Sequence, residues 1–106
     1  MQYTILVVDD DDDDFLLLQA YIQQYRPASK LIYAATGMDA IDLLGKGLTP
    51  NLIFLDAHMP QMDGYEFLMW LMNTNRQPVP VIVWSGSLSE EAILRFYRAG
   101  ANAVLF

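Results

Sequence analysis

The sequence contains no cysteine, only six basic residues and no long hydrophobic segment, and each absence argues against a class of function. Without cysteine there is neither a disulfide framework nor a thiolate metal site, and a cytoplasmic location fits this composition. No stretch reaches the roughly 18 uninterrupted apolar residues of a membrane-spanning helix, so we expect no membrane insertion. Six bases against thirteen acids give a formal net charge of −7, which argues against nucleic-acid binding through a basic face.

Hydrophobic residues make up 54% of the 106 positions, and most of them fall in short runs separated by helical patterns. The runs are rich in β-branched and aromatic residues, which is typical of strands buried on both faces of a parallel sheet. Repeated alternation of such strands with helices predicts an α/β fold, and the chain length predicts one domain over residues 1–106. The predicted strands are Ile5–Val8, Leu31–Ala35, Leu52–Leu55, Val79–Trp84 and Ala103–Phe106.

Four segments between the strands have the three- and four-residue spacing of helices. The first follows a run of six aspartates and ends at Arg26–Pro27. Its predicted inward side chains are Phe15, Leu18, Ile22 and Tyr25. The third segment, residues 64–75, is apolar almost all round, so we expect it to be well buried. The last segment ends at Gly100 and begins with a capping-box pattern, in which Glu90 follows Ser87 by three residues, with Ser89 as the alternative N-cap.

Acidic and hydroxyl side chains stand where three of the predicted strands end. Asp9 and Asp10 follow the first strand. Asp56 follows the third, and Ser85 follows the fourth. Ligands of open parallel sheets bind beyond these carboxyl ends, so three carboxylates converge on one crevice if strands one and three are neighbours. Two like charges ~4 Å apart repel by about 4 kcal/mol at an effective dielectric constant near 20, so the cluster needs a proton or a divalent cation.

The chemistry of these side chains favours a magnesium site that handles phosphate. Carboxylates without histidine or cysteine suit a hard cation, and a few of them with waters suit Mg²⁺ better than a closed calcium cage. A bound cation lets an anionic phosphoryl group approach aspartates that would otherwise repel it. Asp56 is then a candidate nucleophile for acyl-phosphate formation, and Ser85 a candidate hydrogen-bond donor to the phosphoryl group. Of the other aspartates, those at positions 11 and 12 stay unassigned, and those at 13 and 14 are predicted to begin the first helix.

Four segments, in their order and spacing, resemble the receiver domain of bacterial two-component response regulators over essentially the whole chain. They are "ILVVDDDDDDF", "NLIFLDAHMPQMDGYEFL", "VPVIVWSGS" and "AGANAVLF". The resemblance implies a flavodoxin-like, doubly wound, five-stranded parallel sheet of order 2-1-3-4-5 with helices on both faces. It implies that Asp56 is the phosphoacceptor and a metal ligand. Asp9, Asp10 and the backbone carbonyl of His58 would complete the protein ligands of Mg²⁺, and Ser85 would hydrogen-bond the phosphoryl group and shift on activation.

The same resemblance implies a role in signalling. The phosphoryl donor would be a histidine kinase or a phosphotransfer protein, and the output would be a contact with another protein. Direct binding to nucleic acid or membrane is not expected, nor is enzymatic activity beyond self-catalysed phosphoryl transfer and autodephosphorylation. Pro60 and Gly64 match the loop that follows strand three in the family, and Asp63 is expected to support that loop and the next helix.

Three positions depart from the family pattern. The family's lysine would follow Phe106, so we expect a chain truncated near the end of strand five, without the final helix. Val104 stands where the family has a switch aromatic, so the coupling of Ser85 to the outer surface must differ. The side chain of His58 is a candidate to alter phosphoryl lifetime by obstructing or positioning water.

Other functions compete with this interpretation. A pseudo-receiver that binds partners without phosphorylation would account for Val104 and for the missing lysine. An aspartate-nucleophile phosphatase also combines Mg²⁺ with a nucleophilic aspartate, but its nucleophile usually follows strand one and its substrate is enclosed by a cap domain. A flavodoxin is disfavoured because the aspartates would repel the phosphate of its cofactor.

Overall fold

The computed structural model describes residues 2–59, 61–74 and 78–106, in which five strands alternate with four helices. Every predicted strand is present, with ends that lie within two residues of the prediction. The fourth strand begins later than predicted because Pro80 has no N–H to donate to a neighbouring strand. The elements are β1 Thr4–Val8, α1 Asp12–Tyr25, β2 Lys30–Ala34, α2 Gly37–Gly45, β3 Leu52–Asp56, α3 Gly64–Met72, β4 Val81–Trp84, α4 Glu90–Ala99 and β5 Ala103–Leu105.

The five strands form one parallel sheet in the order β2-β1-β3-β4-β5, which confirms the predicted order. Strands β1 and β3 are hydrogen-bonded neighbours, and Val8 lies opposite Leu55 at their carboxyl ends. On the other side of β3, Asp56 lies opposite Trp84 of β4. The residues that follow β1, β3 and β4 therefore meet at one edge of the sheet.

Helices α2, α3 and α4 cover one face of the sheet. The strand residues on this face belong to the same buried cluster as Ala40 and Leu44 of α2, Phe67 of α3 and Phe96 of α4. Each fully buried aliphatic or aromatic side chain stabilises the fold by about 1.5–3 kcal/mol relative to an exposed one. The strand residues of this cluster are Leu6, Val8, Ala34, Ile53, Leu55, Val81, Val83 and Val104.

Helix α1 covers the opposite face, so helices lie on both faces as predicted. Its Phe15 ring packs against Tyr33 of β2, with 4.8 Å between ring centroids. The predicted inward side of α1 is only partly correct, because Phe15, Leu18 and Ile22 are half-buried and Tyr25 is exposed. Along the described chain no second helix lies beside α1 on this face, so α1 has no fully buried residue.

Short polar side chains begin all four helices. Thr36 caps α2, and Asp63 caps α3 by accepting a hydrogen bond from the Glu66 N–H at 2.9 Å, as expected for that loop. Ser89 caps α4, so the capping box predicted at Ser87 is wrong. At the other end of α4, Gly100 adopts the left-handed conformation (φ 115°) that commonly terminates helices, as predicted.

Helix α3 is less buried than its sequence predicts. Phe67, Leu68 and Leu71 are buried, whereas Met69 and Met72 are exposed. Residue 75, at the end of the segment predicted as helical, lies outside the described residues. Over the described ranges, every helix is too short or too polar to cross a lipid bilayer.

Candidate functional site

Three carboxylates gather at the carboxyl edge of the sheet. Asp9 follows β1 and Asp56 ends β3, and one carboxylate oxygen from each of Asp9, Asp10 and Asp56 lies within 4.8 Å of the other two. Asp9 is 1% exposed, Asp56 is half-buried and Asp10 faces solvent. The adjacency of β1 and β3 produces this cluster, which is the convergence that the sequence predicted.

Only one of the two carboxylate oxygens of Asp9 has a hydrogen-bond partner among the described residues. Its Oδ1 accepts a hydrogen bond from the Asp11 N–H at 2.9 Å, and its own N–H donates to the Ala34 oxygen at 3.1 Å. Its Oδ2 is buried and has no hydrogen-bond partner among the described residues. A buried acceptor without a donor costs free energy, so this oxygen is suited to bind a cation.

The backbone around Asp56 orients its side chain and needs a glycine nearby. The Asp56 Oδ1 accepts a hydrogen bond from the His58 N–H at 3.1 Å. The Gly64 N–H donates to the Ala57 oxygen at 3.1 Å, which brings the start of α3 onto the end of β3. A Cβ atom at Gly64 would collide with the backbone oxygen of Asp56, so the helix approaches only because a side chain is absent there. Pro60, the other residue of the predicted loop pattern, lies outside the described residues.

Burial and mutual repulsion raise the pKa of two carboxyl groups in this cluster. Desolvation by burial and then the charges of Asp56, Asp14 and Asp10 raise the pKa of Asp9 to about 7, against the opposing hydrogen bond from Asp11. Desolvation, followed by the hydrogen bond and charge of Asp10, raises the pKa of Asp56 to about 6, against the hydrogen bond from the His58 N–H. The site therefore favours either a bound proton or a bound cation near neutral pH.

Ser85 lines the same cavity as Asp9 and Asp56, with a volume of about 490 Å³. The Ser85 hydroxyl is engaged with the next turn: it donates to the Ser87 oxygen and accepts from the Ser87 N–H, both at 3.2 Å. The hydroxyl must leave Ser87 before it can bind a group beside Asp56. The cavity is lined by Asp9, Asp14, Asp56, Trp84, Ser85, Gly86, Leu105 and Phe106.

The His58 side chain contacts the same turn from the other side. Its Nε2 lies 3.1 Å from the Ser87 oxygen, which is also the acceptor for Ser85. The imidazole is exposed and connects the loop after β3 to the loop after β4. The Ser85 hydroxyl and the His58 ring thus share one backbone acceptor.

Asp14 is a lining residue that sequence reasoning missed. It lies in the first turn of α1, as predicted, but it is also half-buried and faces the cavity with Asp9 and Asp56. Side chains of a helix lean toward its N-terminus, so an aspartate in the first turn of α1 can reach back over the end of β1. The sequence spacing alone did not identify Asp14, because the direction in which α1 leaves β1 decides where its side chain lies. Asp11, which stayed unassigned, is the N-cap of α1 and accepts from the Asp13 N–H at 2.9 Å.

An aromatic residue of α4, which the sequence did not indicate, contacts the backbone of β5. Val104 is buried, and its N–H donates to the Tyr97 hydroxyl of α4 at 3.2 Å. Trp84 packs its ring edge-on against Phe54, with 6.4 Å between centroids, and its buried Nε1 has no hydrogen-bond partner in the described part of the chain. The aromatic contact with β5 therefore comes from α4.

Five parallel strands of this order, with an acidic cavity at their carboxyl ends, define a doubly wound α/β protein of the flavodoxin-like class. Residues 5–106 match the family model of the response regulator receiver domain. The chain belongs to that family, as its sequence resemblance predicted.

Individual relatives agree with this assignment. The protein-glutamate methylesterase/protein-glutamine glutaminase 1 of Saccharophagus degradans is 31% identical over 106 residues, which is all of this chain but 28% of that protein. The phosphorylated cyanobacterial phytochrome response regulator RcpA has a TM-score of 0.90 at 26% identity, covering 99% of this chain and 80% of that one. The Mn²⁺-bound response regulator Rcp1 has a TM-score of 0.87 at 29% identity, covering 97% and 79%.

The chain spans less than a third of the length of the curated relatives it matches first. The enzymatic name of the first relative therefore describes a longer protein, of which this chain corresponds to the receiver alone. The fold, the family and the acidic cluster together establish a receiver domain whose cluster of Asp9, Asp10 and Asp56 is consistent with phosphoacceptor signalling.

Proposed function

We propose that this protein is a phospho-accepting signalling receiver in which Asp56 takes a phosphoryl group from a histidine kinase or a phosphotransfer protein. The observation that carries the proposal is the convergence of the carboxylates of Asp9, Asp10 and Asp56. Two of them, Asp9 and Asp56, line one cavity with Ser85. The solved structure of the phosphorylated relative RcpA supports it by analogy. The proposal places the protein in the cytoplasm with its phosphoryl donor.

The residues present fit a magnesium ion. Asp9, Asp10 and Asp56 would bind it, with the backbone carbonyl of His58 as a further ligand. Two observations support this: the donor set consists of oxygen atoms, and the buried Oδ2 of Asp9 lacks a hydrogen-bond donor. When bound, Mg²⁺ would offset the charge of the cluster and of the incoming phosphoryl group.

Asp56 would act as the nucleophile. Its Oδ1 is oriented by the His58 N–H, and its carboxyl group, with a pKa of about 6, is mostly ionised at neutral pH. One carboxylate oxygen attacks phosphorus, the bond from phosphorus to the imidazole nitrogen of the donor breaks, and that nitrogen keeps the electron pair. The product is an acyl phosphate on Asp56, which water later hydrolyses to restore the carboxylate.

Ser85 would change its hydrogen bonds when Asp56 is phosphorylated. In the structure its hydroxyl bonds to the backbone of Ser87, so a phosphoryl oxygen on Asp56 must compete with that turn. Movement of Ser85 toward the phosphoryl group would free the Ser87 oxygen from one of its two side-chain contacts, leaving His58 as the other. The His58 ring, exposed beside Asp56, would also influence the access of water to the acyl phosphate.

The first prediction concerns the phosphoacceptor. Beryllofluoride with Mg²⁺ should form an adduct that fluorine NMR detects in the unmodified protein and not in Asp56→Asn, because the amide cannot replace the nucleophilic carboxylate. Asp13→Asn is the matched control, since Asp13 is an exposed carboxylate of the same aspartate run, outside the cavity.

An adduct that persists in Asp56→Asn would contradict the assignment of Asp56, and an adduct in neither protein would favour the pseudo-receiver. The assay is best run on this chain and on one extended by a lysine after Phe106. A stronger adduct in the extended chain would show that the family's lysine position contributes to phosphoryl binding.

A further inference from the structure

A groove between α3 and α4 lies outside the acidic cavity. The rings of Tyr65 in α3 and Phe96 in α4 pack edge to face, with 6.1 Å between centroids, and this contact sets the distance between the two helices. The groove has a volume of about 540 Å³, within the usual range of ligand-binding clefts. It is lined by Tyr65, Met69, Glu91, Leu94, Arg95, Arg98 and Ala99.

The groove carries positive charge on an otherwise acidic protein. Arg95 and Arg98, one helical turn apart on α4, are exposed, while Glu91 is the only acid among the described residues that line the groove. The guanidinium carbon of Arg95 lies 3.6 Å from the Tyr65 ring centroid, a cation–π contact that holds the Arg95 side chain over Tyr65. No carboxylate of the described residues forms an ion pair with either arginine.

The negative charge of the rest of the protein makes the groove a preferred place for an acidic ligand to bind. The net charge is −7, and Lys46, another of the six bases, is already paired with Asp42 at 2.9 Å. An acidic ligand is therefore repelled by the overall field of the protein and attracted at this groove, which favours one orientation of approach.

The groove also offers apolar surface along its length. Met69 is 38% exposed and Leu94 is 52% exposed, although each occupies the side of its helix that faces the groove. Helices of nine and ten residues give a groove about 14 Å long, which matches two to three turns of a helix. Helices bound in grooves contribute apolar side chains at three- and four-residue spacing, with polar groups at the rim.

We propose that the α3–α4 groove docks a short, acidic amphipathic helix of a partner protein. Its apolar side chains would contact Met69 and Leu94, and its carboxylates would pair with Arg95 and Arg98. The inference goes beyond the proposed phosphoryl chemistry and does not depend on it, since none of the groove residues lines the acidic cavity.

The test uses a fluorescent peptide of about 16 residues, long enough to be partly helical, with leucines at helical spacing and glutamates on the other positions. Fluorescence anisotropy should show saturable binding to the protein. Arg98→Glu should weaken binding about tenfold, because one favourable exposed pair becomes a repulsive one. Arg26→Glu is the matched control: Arg26 is exposed, follows α1 and lies outside the groove, and the change in charge is the same.

A second pair of variants tests the apolar part. Leu94→Asp should abolish saturable binding, whereas Leu17→Asp, at a more exposed leucine of α1, should leave it unchanged. All four substituted side chains are exposed, so the folds should be retained, which circular dichroism checks.

Several results would overturn the proposal. Equal weakening by Arg26→Glu and Arg98→Glu would mean that only the overall charge matters. Tighter binding of a peptide with lysine in place of glutamate would contradict the charge argument. If a single-stranded oligonucleotide of equal charge binds more tightly than the peptide, the groove is a nucleic-acid site instead. If the peptide shows no saturable binding, the groove does not dock an acidic amphipathic helix.

Discussion

Asp9 follows directly after β1, and its side chain is 1% exposed in a cluster with two other carboxylates. Its pKa rises from 3.8 to about 7, first because burial removes water and then because neighbouring carboxylates repel its charge. Between about pH 4 and pH 7 the folded state therefore binds more protons than the unfolded state. The free energy of unfolding falls as pH rises through this window.

We expect Asp9→Asn to be more stable than the unmodified protein at pH 8 without metal, by about 4 kcal/mol, and nearly equal to it at pH 4. The amide removes the buried charge and can still accept from the Asp11 N–H. Urea denaturation with a chelator at pH 4, 6 and 8 measures the difference. Asp56, with its pKa of about 6, should account for the pH dependence that remains in the variant.

Exposed Asp13 provides the control, since Asp13→Asn should keep the pH dependence of the unmodified protein. If Asp9→Asn proves less stable than the unmodified protein at pH 8, desolvation of this carboxylate is not the dominant effect.

Individual residues were predicted unevenly from the sequence. Asp9, Asp10 and Asp56 were identifiable because each stands at or beside the end of an apolar run. Asp14 was not, because its place in the cavity depends on the direction in which α1 leaves β1. The role of the Tyr97 hydroxyl beside Val104 could not be predicted either, since it depends on how α4 packs over β5.

At the scale of elements, the segment from β4 to α4 shows how local hydrogen bonds set a boundary. The backbone N–H and oxygen of Ser87 are both used by the Ser85 hydroxyl, and the oxygen also contacts His58. The helix therefore begins two residues later, where the Ser89 hydroxyl accepts from the Ala92 N–H at 3.1 Å. The sequence pattern allowed both serines as caps, and only the folded turn distinguishes them.

Ser89→Ala should lower the free energy of unfolding by about 1 kcal/mol, the usual cost of losing a side-chain N-cap. Ser87→Ala should change it by less than about 0.5 kcal/mol, because Ser87 contributes backbone atoms to the turn. Urea denaturation of the two variants compares them directly. If Ser87→Ala loses more free energy of unfolding than Ser89→Ala, Ser87 is the N-cap of α4.

At the scale of the whole molecule, the strand order brings Asp56 beside Asp9 from a distant part of the chain. The fold holds three acids together in a cluster that would bind a cation under the proposed function, and the unfolded chain lacks this cluster. A cation that binds only the folded state stabilises it by mass action, by about 1.4 kcal/mol at ten times its dissociation constant.

Millimolar Mg²⁺ should accordingly raise the thermal midpoint at pH 8, and sodium chloride at equal ionic strength should not. The rise should be smaller at pH 5, because the raised pKa values of Asp9 and Asp56 let protons compete for the same oxygens. It should also be smaller in Asp56→Asn, which removes one ligand charge. Calorimetry measures the thermal midpoint at pH 8, at pH 5 and in Asp56→Asn. An equal rise with sodium chloride would exclude a specific Mg²⁺ site.

The linear pattern of the chain was enough to predict the strands, the alternation with helices and the acids at strand ends. These features depend on local periodicity and on neighbours in sequence. Which strands are neighbours followed from family resemblance and was confirmed by the sheet. Three features appear only in the tertiary structure. They are the hydrogen bonds between the Ser85 hydroxyl and Ser87, the position of Asp14 at the acidic cavity, and the α3–α4 groove with its two arginines. Each depends on the packing of helices and loops that are distant in sequence, and no local pattern encodes that geometry.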